Sequence, residues 1–206
     1  MHEESGESSV RKRLMDAAIL LFTNRGYAAT SVREIVEMAG VTKPALYYHF
    51  ESKEGIYLAI LQDLVKVAEH VVEESRAEAG TARERIQGFL THTFRHFETR
   101  RADVRMINAV FWGPAQGVPP FDFETFHRMF HDYVRGVVEE GIAAGELRPA
   151  DPEVVTLAIV GVLSFNMDLN LAHPDLGLGQ DGLRRTLDLV FEGIAVPAAE
   201  TQEPVR

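Results

Sequence analysis

The sequence predicts an all-α protein of about nine helices, and three observations support this prediction. Apolar residues recur at spacings of three and four along most of the chain, which is the period of a helix with one buried face. Two Ser/Thr-x-x-Glu boxes mark helix starts, and glycines follow the apolar stretches where helices commonly end. No stretch alternates between apolar and polar residues as a strand does, and no internal repeat is present.

The first element is a long helix predicted over residues 9–25 and closed by Gly26. Residues 1–8 are polar and acidic, and this composition predicts a segment without fixed structure. Three consecutive basic residues lie at the start of the helix, Arg11, Lys12 and Arg13. They are typical of a solvated helix end and equally of a surface that faces a polyanion.

Residues 27–55 are predicted to form two short helices joined by a tight turn, with a third helix starting behind them. Ser31 and Glu34 form a capping box for the first short helix, and Gly40 lies where a left-handed residue closes it. Pro44 falls in the first turn of the second short helix, where a missing N–H costs nothing. This spacing fits a helix-turn-helix that docks on DNA.

The second short helix leaves aromatic side chains on its outer surface. Leu46 and Phe50 are four residues apart and are predicted to face inward, so that the Tyr-Tyr-His sequence between them faces outward. Exposed aromatic neighbours are unusual unless something binds to them, although one tyrosine could serve only to brace the domain. Their hydroxyl and imidazole groups can reach phosphates and base edges. The residues predicted to contact DNA are Ser31, Arg33, Thr42, Lys43, Ala45, Tyr47, Tyr48, His49 and Lys53.

A longer pattern runs through residues 22–27 (FTNRGY), 30–35 (TSVREI), 39–50 (AGVTKPALYYHF) and 52–53 (SK). With this pattern the chain resembles the DNA-binding domain of the TetR/AcrR family of bacterial repressors. Two departures, Val36 in place of alanine and Gly55-Ile56 in place of Glu-Leu, lie away from the surface expected to meet DNA. The resemblance implies a three-helix DNA-binding domain over residues 1–52. It also implies a helical ligand-binding and dimerisation domain over residues 53–206.

The second domain is predicted to contain six helices. Thr81 and Glu84 form another capping box, and Asp151 followed by proline and glutamate is a strong start signal. A loop rich in glycine and proline is predicted over residues 113–120, and the tail after Pro197 is predicted to be disordered. The predicted helices cover residues 53–79, 82–98, 102–112, 121–144, 152–171 and 180–195.

The last two predicted helices are too apolar for one buried face, and a helix that is apolar on several sides must be buried on several sides. We interpret them as a two-fold dimer interface built as a four-helix bundle. The alternative is an entirely internal core. The residues assigned to this interface are Leu157, Val160, Gly161, Ser164, Phe165, Leu183, Leu187, Val190 and Ile194.

Aromatic and polar residues are interleaved through the middle helices. An apolar pocket with a few polar anchors has this composition, and the family resemblance implies a ligand site in this region, although such stripes also form ordinary cores. The candidate ligand-contacting residues are Phe89, His92, Phe94, His96, Met106, Phe111, Trp112, Phe123, His127, Phe130 and Asn166.

Two histidine pairs have a spacing of four residues, His92 with His96 and His127 with His131. Such a pair can hold a metal ion, orient a carboxylate ligand or sense pH. The chain has no cysteine and no H-E-x-x-H motif. The sequence therefore assigns no metal site, no cofactor and no catalytic residue.

The net charge is −10, which argues against a general nucleic-acid binder, but most of the excess acid lies after residue 55. No secretory leader pattern or apolar run of membrane-spanning length is evident, so we expect a cytoplasmic protein without a membrane partner.

The leading hypothesis is a homodimeric repressor that binds an inverted-repeat operator in double-stranded DNA and is released by a small, largely apolar inducer. One alternative is an architectural DNA-binding protein without an inducer. Another is a helical metalloenzyme or a histidine-based metal sensor. No nucleophile–base pair or phosphate-binding loop is visible, so enzymatic activity is not predicted.

Overall fold

A computed structural model describes residues 3–111 and 117–193, with side chains for residues 9–109 and 117–193. These residues form nine α-helices and no strand, which confirms the all-α prediction. The helices are α1 (Glu3–Arg25), α2 (Val32–Ala39), α3 (Lys43–Phe50), α4 (Lys53–Arg76), α5 (Ala82–Thr99), α6 (Arg101–Phe111), α7 (Phe123–Ala143), α8 (Pro152–Ala172) and α9 (Gly179–Glu192).

Both predicted capping boxes are present. The Ser31 hydroxyl oxygen accepts a hydrogen bond from the Glu34 backbone N–H at 3.3 Å, and the Glu34 carboxylate accepts one from the Ser31 backbone N–H at 2.8 Å. Thr81 and Glu84 form the same reciprocal pair at the start of α5, with distances of 3.3 and 2.9 Å. Two of the backbone N–H groups that a helix start leaves without partners are therefore satisfied at each site.

Two predicted boundaries are wrong. α1 begins at Glu3, so residues 3–8 extend the helix instead of lacking fixed structure. Acidic residues are favoured in a first helical turn by the helix dipole, an effect that composition alone conceals. α4 ends at Arg76, three residues early, because the chain turns through Gly80 with a φ of 138° to place Thr81 as the cap of α5. Trp112 and the tail after Pro197 lie outside the described residues.

Two clusters of buried side chains hold the chain together. The head core joins α1, α2, α3 and the first half of α4, and it also includes Met106 of α6. The body core joins the second half of α4 to α5, α7, α8 and α9. Within the head core, Tyr57 of α4 is fully buried, with its ring centroid 6.0 Å from that of Phe22 and 5.1 Å from that of Tyr27. α4 contributes residues to both cores, so the cores do not locate a boundary at its first residue. The domain boundary between residues 52 and 53 stays a prediction.

α8 is long and apolar enough to cross a membrane by length and composition, with a mean hydropathy of 1.7. The expectation that no apolar run reaches this length is therefore wrong. One face of α8 carries Ile159 and Leu163 into the body core, where they are 0% and 5% exposed. The opposite face carries Leu157 and Phe165, which are 59% and 69% exposed. This helix thus has one apolar face inside the fold and another outside it.

α9 contributes differently from the sequence prediction. Leu183 and Leu187 are fully buried in the body core, so the assignment of these two residues to a face between subunits is wrong. Val160 and Val190 also pack against the body core, and Ile194 lies outside the described residues. The helical period turns Leu183 and Leu187 toward the body, a direction that apolar content alone does not specify.

Candidate nucleic-acid interface

The turn between α2 and α3 is closed by hydrogen bonds within the backbone. Gly40 has φ 62° and ψ 41°, the left-handed conformation that glycine adopts without steric penalty. Its N–H donates to the Glu37 carbonyl at 3.3 Å, and the Val41 N–H donates to the Val36 carbonyl at 3.0 Å. α2 therefore ends sharply, and α3 begins two residues after Val41.

The burial pattern of α3 matches the predicted register. Leu46 and Phe50 are 0% and 6% exposed in the head core. Tyr47 and Tyr48 are 49% and 72% exposed, and the rings of Tyr48 and His49 lie 5.0 Å apart. Thr42 and Lys43 are also exposed, whereas Ala45 and His49 are half-buried. α3 thus presents two tyrosine hydroxyls and a lysine on the side away from the head core.

The corner between α3 and α4 requires a glycine. Glu51 has a φ of 62°, unusual for a residue with a side chain, and the Ser52 N–H donates to the Phe50 carbonyl at 2.6 Å. A Cβ on Gly55 would lie 1.8 Å from the Phe50 carbonyl oxygen, a distance that no side chain tolerates. Gly55, one of the two departures from the family pattern, therefore lets the end of α3 lie close to the start of α4. Sequence reasoning missed this role, although the departure itself was its signal.

Lys53 holds the start of α4 against the turn before α2. Its Nζ donates to the carbonyl oxygens of Tyr27 at 2.9 Å and Thr30 at 2.8 Å, and it lies 4.2 Å from the centroid of the Tyr27 ring. Burial lowers the pKa of the Lys53 ammonium. Since an ammonium has three N–H donors, one remains beyond the two carbonyls. The sequence did not predict this positioning role.

Several cations of the head are already paired with carboxylates. Arg33 Nε lies 2.7 Å from a Glu37 oxygen, and an Arg25 nitrogen lies 2.6 Å from a Glu34 oxygen. Hydrogen bonds from the backbone and hydroxyl of Ser31 lower the pKa of Glu34. Lys43, in contrast, has no ion-pair partner among the described residues. It is therefore the predicted phosphate-contacting cation with the least competition from the protein's own acids.

The chain matches two family models. One, described as bacterial regulatory proteins of the tetR family, matches residues 14–60. The other, described as the tetracyclin repressor-like C-terminal domain, matches residues 79–166. The HTH-type transcriptional repressor KstR2 of Mycolicibacterium smegmatis is 30% identical over 149 residues, which are 70% of this chain and 71% of KstR2. The chain belongs to the TetR family.

Solved structures agree with this assignment. The TetR family regulator PfmR from Thermus thermophilus matches with a TM-score of 0.72 and 25% identity, over 89% of this chain and all of PfmR. AibR, solved in complex with isovaleryl coenzyme A and operator DNA, matches with a TM-score of 0.67 over 90% of this chain and all of AibR. At 19% identity the likeness to AibR shows the fold alone. This TetR-family chain is a DNA-binding transcriptional regulator, and its helix-turn-helix comprises α2 and α3.

The predicted ligand-contacting residues are divided between the two cores. Phe89 and Phe94 are fully buried in the body core, and the Phe130 ring lies 5.6 Å from that of Phe89. Met106 and Phe123 pack with the head core instead. The structure therefore brings Phe89 and Phe130 together but does not bring Met106 or Phe123 to them. The side chains of Phe111 and Trp112 lie outside the described residues.

The two histidine pairs lie in different surroundings. His92 and His96 lie on α5 with their Nε2 atoms 3.1 Å apart, and they face Glu74 of α4. His127 and His131 lie on α7, where they line a surface depression of about 440 Å³.

The body also buries polar atoms that lack hydrogen-bond partners within the described residues. Asn166 of α8 is 6% exposed and Thr93 of α5 is 8% exposed. The side-chain carbonyl oxygen of Asn166 and the hydroxyl of Thr93 make no hydrogen bond within this part of the chain. Each such atom costs about 1–3 kcal/mol unless a water or ligand satisfies it. Thr93 was not among the predicted ligand residues, and only the structure identifies it.

Proposed function

We propose that this TetR-family regulator is a homodimeric repressor that reads an inverted-repeat operator through α3 and releases it when a ligand enters the body. It works in the cytoplasm, where bacterial operator DNA lies. The observation that carries the proposal is the outer face of α3. Tyr47, Tyr48 and Lys43 offer hydroxyls and an ammonium there, while Leu46 and Phe50 hold the helix in the head core.

In this proposal base edges are read by Tyr47, Tyr48 and His49, with Ala45 against the groove. Phosphates are contacted by Ser31, Arg33, Thr42 and Lys43, and by the remaining N–H of Lys53. Arg33 must exchange its contact with Glu37 for a phosphate, so we expect its phosphate contact to be weaker than that of Lys43. Lys43 needs no such exchange.

The exposed apolar face of α8 supports dimerisation. Leu157 and Phe165 are 59% and 69% exposed, and Gly161 and Ser164 between them are also exposed and small enough for a close approach of two helices. A two-fold axis beside α8 would pack the exposed α8 face of one subunit against the same face of its partner, and both heads would stay available for DNA. Heads separated by about 34–36 Å reach successive turns of one face of DNA.

The ligand part of the proposal rests on two observations in the body. The side-chain carbonyl oxygen of Asn166 and the hydroxyl of Thr93 make no hydrogen bond within the described residues, and the rings of Phe89 and Phe130 lie 5.6 Å apart in the body core. A region that combines apolar side chains with a few unpaired polar atoms suits a molecule with an acyl tail and a polar linkage. AibR, which shares the fold, was solved with isovaleryl coenzyme A. We therefore infer that the inducer is an acyl-coenzyme A. His92, Phe94, His96 and His127 stay candidate ligand contacts because aromatic and polar residues are interleaved in these helices.

Selection from a random double-stranded DNA library tests the DNA-binding part. The full chain should enrich an inverted repeat with half-sites about one helical turn apart, and footprinting should show two protected half-sites. Recovery of a single half-site bound by a monomer would refute the dimeric arrangement.

The ligand part is tested on that operator with a series of acyl-coenzyme A molecules of increasing chain length and with free coenzyme A. We expect one chain-length range to weaken DNA binding by about 5–150-fold, the usual range of allosteric coupling. Thr93→Val and Asn166→Leu should reduce this response. Thr156→Val is a matched control, because the buried Thr156 hydroxyl already donates to the Pro152 carbonyl at 2.7 Å. No response to any member of the series would refute the inducer class.

A further inference from the structure

α4 and α5 bring three histidines and a glutamate together on one side of the body. His70 Nε2 lies 3.1 Å from one carboxylate oxygen of Glu74, and His92 Nε2 lies 3.7 Å from the other. The Nε2 atoms of His92 and His96 are 3.1 Å apart. Sequence spacing could show only the His92–His96 pair, because the other two groups come from a different helix.

The separation of the two imidazole nitrogens suits a shared metal ion. Zinc binds histidine nitrogen at about 2.0–2.1 Å with tetrahedral angles, which places two bound nitrogens about 3.3 Å apart. As the side chains stand, no three His, Asp or Glu groups in the described residues are arranged to hold one metal ion. Glu74 is 46% exposed in its side chain, so rotation about its side-chain bonds can bring a carboxylate oxygen closer to both histidines.

The charges around the two histidines are mixed. Arg95 repels a cation, whereas Glu74 and Glu78 attract one. All three line the same surface depression of about 360 Å³ together with His92.

We propose that His92 and His96 of α5 and Glu74 of α4 form a binding site for one divalent transition-metal ion of the zinc class. His70 holds the second carboxylate oxygen of Glu74 and so acts as a positioning residue, as partners of metal-bound carboxylates commonly do. The ion links α4 to α5. Because α4 runs from the body core into the head core, this link fixes the helix that joins the two. The zinc site uses none of the residues proposed to contact DNA, and it includes two of the candidate inducer contacts, His92 and His96.

The chain contains a matched control for this proposal. His127 and His131 have the same spacing on α7, but the ring nitrogens of His131 face Glu153 at 3.0 Å and Asp132 at 3.4 Å. A general affinity of paired surface histidines for metal predicts that both pairs bind. The proposal predicts that only the pair beside Glu74 binds tightly.

Zinc binding is measured by calorimetry on untagged full-length protein after chelator treatment, with zinc chloride as the probe. We expect one zinc ion per chain. His92→Gln, His96→Gln and Glu74→Gln should each weaken binding at least about tenfold, the lower end of the effect seen even for residues that act through a ligand. His70→Gln should weaken it less, and His127→Gln/His131→Gln should leave it unchanged. Circular dichroism without metal checks that every variant is folded.

Two results overturn the proposal. If Glu74→Gln binds zinc as the unsubstituted protein does, the link between α4 and α5 does not exist. If the His92→Gln and His127→Gln/His131→Gln proteins lose equal amounts of binding, zinc binding is adventitious. Cobalt(II) provides an independent readout, because its visible absorption separates a four-coordinate protein site from the hydrated ion. Since none of these measurements uses DNA, their outcome is separate from that of operator selection.

Discussion

The head and the body both expose apolar side chains, but the exposed groups differ in chemistry. On α3 of the head the exposed rings are Tyr47 and Tyr48, each of which carries a hydroxyl. On α8 of the body the exposed residues are Leu157 and Phe165, whose side chains carry no polar atom. A hydroxyl-bearing surface suits a hydrated, polar partner such as DNA, whereas a purely hydrocarbon surface suits another apolar surface. The comparison therefore separates two binding surfaces on one chain by the kind of partner each accepts.

The largest effect is expected from replacing Tyr47, Tyr48 and His49 together by alanine. Loss of two base contacts in each of the two heads, each contributing about 1–3 kcal/mol, should reduce operator affinity by at least about 100-fold. The unfolding free energy and the dimer fraction should stay unchanged, because these side chains contribute little to the head core. Fluorescence anisotropy with the selected operator measures affinity, and denaturant unfolding measures stability. Normal operator binding by this variant would mean that α3 is not the reading helix.

The next largest effect is expected from Leu157→Asp on α8. A carboxylate placed twice at a two-fold apolar interface should raise the dimer dissociation constant by at least about 100-fold, since each buried unpaired charge costs several kcal/mol even after relaxation. Analytical ultracentrifugation measures the dissociation constant. Leu20→Asp on α1 is a matched control, because Leu20 is 51% exposed in the head. If Leu157→Asp and Leu20→Asp raise the dimer dissociation constant equally, the exposed face of α8 is not the dimer interface.

A smaller effect separates two lysines of the head that sequence reasoning treats alike. Lys53→Met should cost about 1–3 kcal/mol of stability, because it leaves the Tyr27 and Thr30 carbonyls without their donor. Lys43→Ala should leave stability unchanged and reduce the slope of log affinity against log salt by about 0.9 per head, as expected for one lost phosphate contact. Thermal unfolding and salt titrations measure the two quantities. A larger salt effect from Lys53→Met than from Lys43→Ala would reverse these roles.

The smallest effect compares the two capping boxes. Ser31→Ala and Thr81→Ala should each lose about 1 kcal/mol of unfolding free energy, the usual value for an N-cap. Only Ser31→Ala should also weaken operator binding, since only α2 supports α3.

The two capping boxes also predict how the effect of Ser31→Ala and Thr81→Ala on the free energy of unfolding depends on pH. Hydrogen bonds from the capping residue lower the pKa of Glu34 and of Glu84 in the folded state. A lowered folded-state pKa contributes stability above the unfolded pKa, about 4.3, and this contribution is lost as the pH falls through the folded value. The difference between each variant and the unsubstituted protein should therefore shrink in acid. Unfolding curves from neutral pH down to about pH 3 measure it, and a difference that grows in acid would contradict the assigned cause.

Local signals made most of the head predictable. Ser31, Glu34 and Gly40 each act through atoms within a few residues in sequence, so their roles follow from backbone hydrogen bonding alone. The Leu46–Phe50 register follows from the helical period. The contact of Lys53 with Tyr27 joins residues 26 positions apart, and no local pattern encodes it. The role of Gly55 was equally hidden, because the Phe50 carbonyl approaches it only once α3 and α4 are packed.

The body was predicted less well because burial there depends on which helix faces which. The period of α9 shows that Leu183 and Leu187 share a face, but it does not say whether that face meets the body core or a second subunit. Met106 was assigned to a pocket with Phe89, yet α6 carries it into the head core. Helical content is a local property, whereas the partner of each face depends on contacts between distant segments.

By itself the sequence determined the capped starts of α2 and α5, the register of α3 and the family to which the chain belongs, because each depends on residues that are close together in sequence. Only the tertiary structure decided which apolar face of α8 is buried in the body core, that Lys53 secures the turn before α2, and that Glu74 approaches His92. Those facts join helices that are far apart in sequence, and folding brings such segments together by burying apolar surface that no single segment can cover alone.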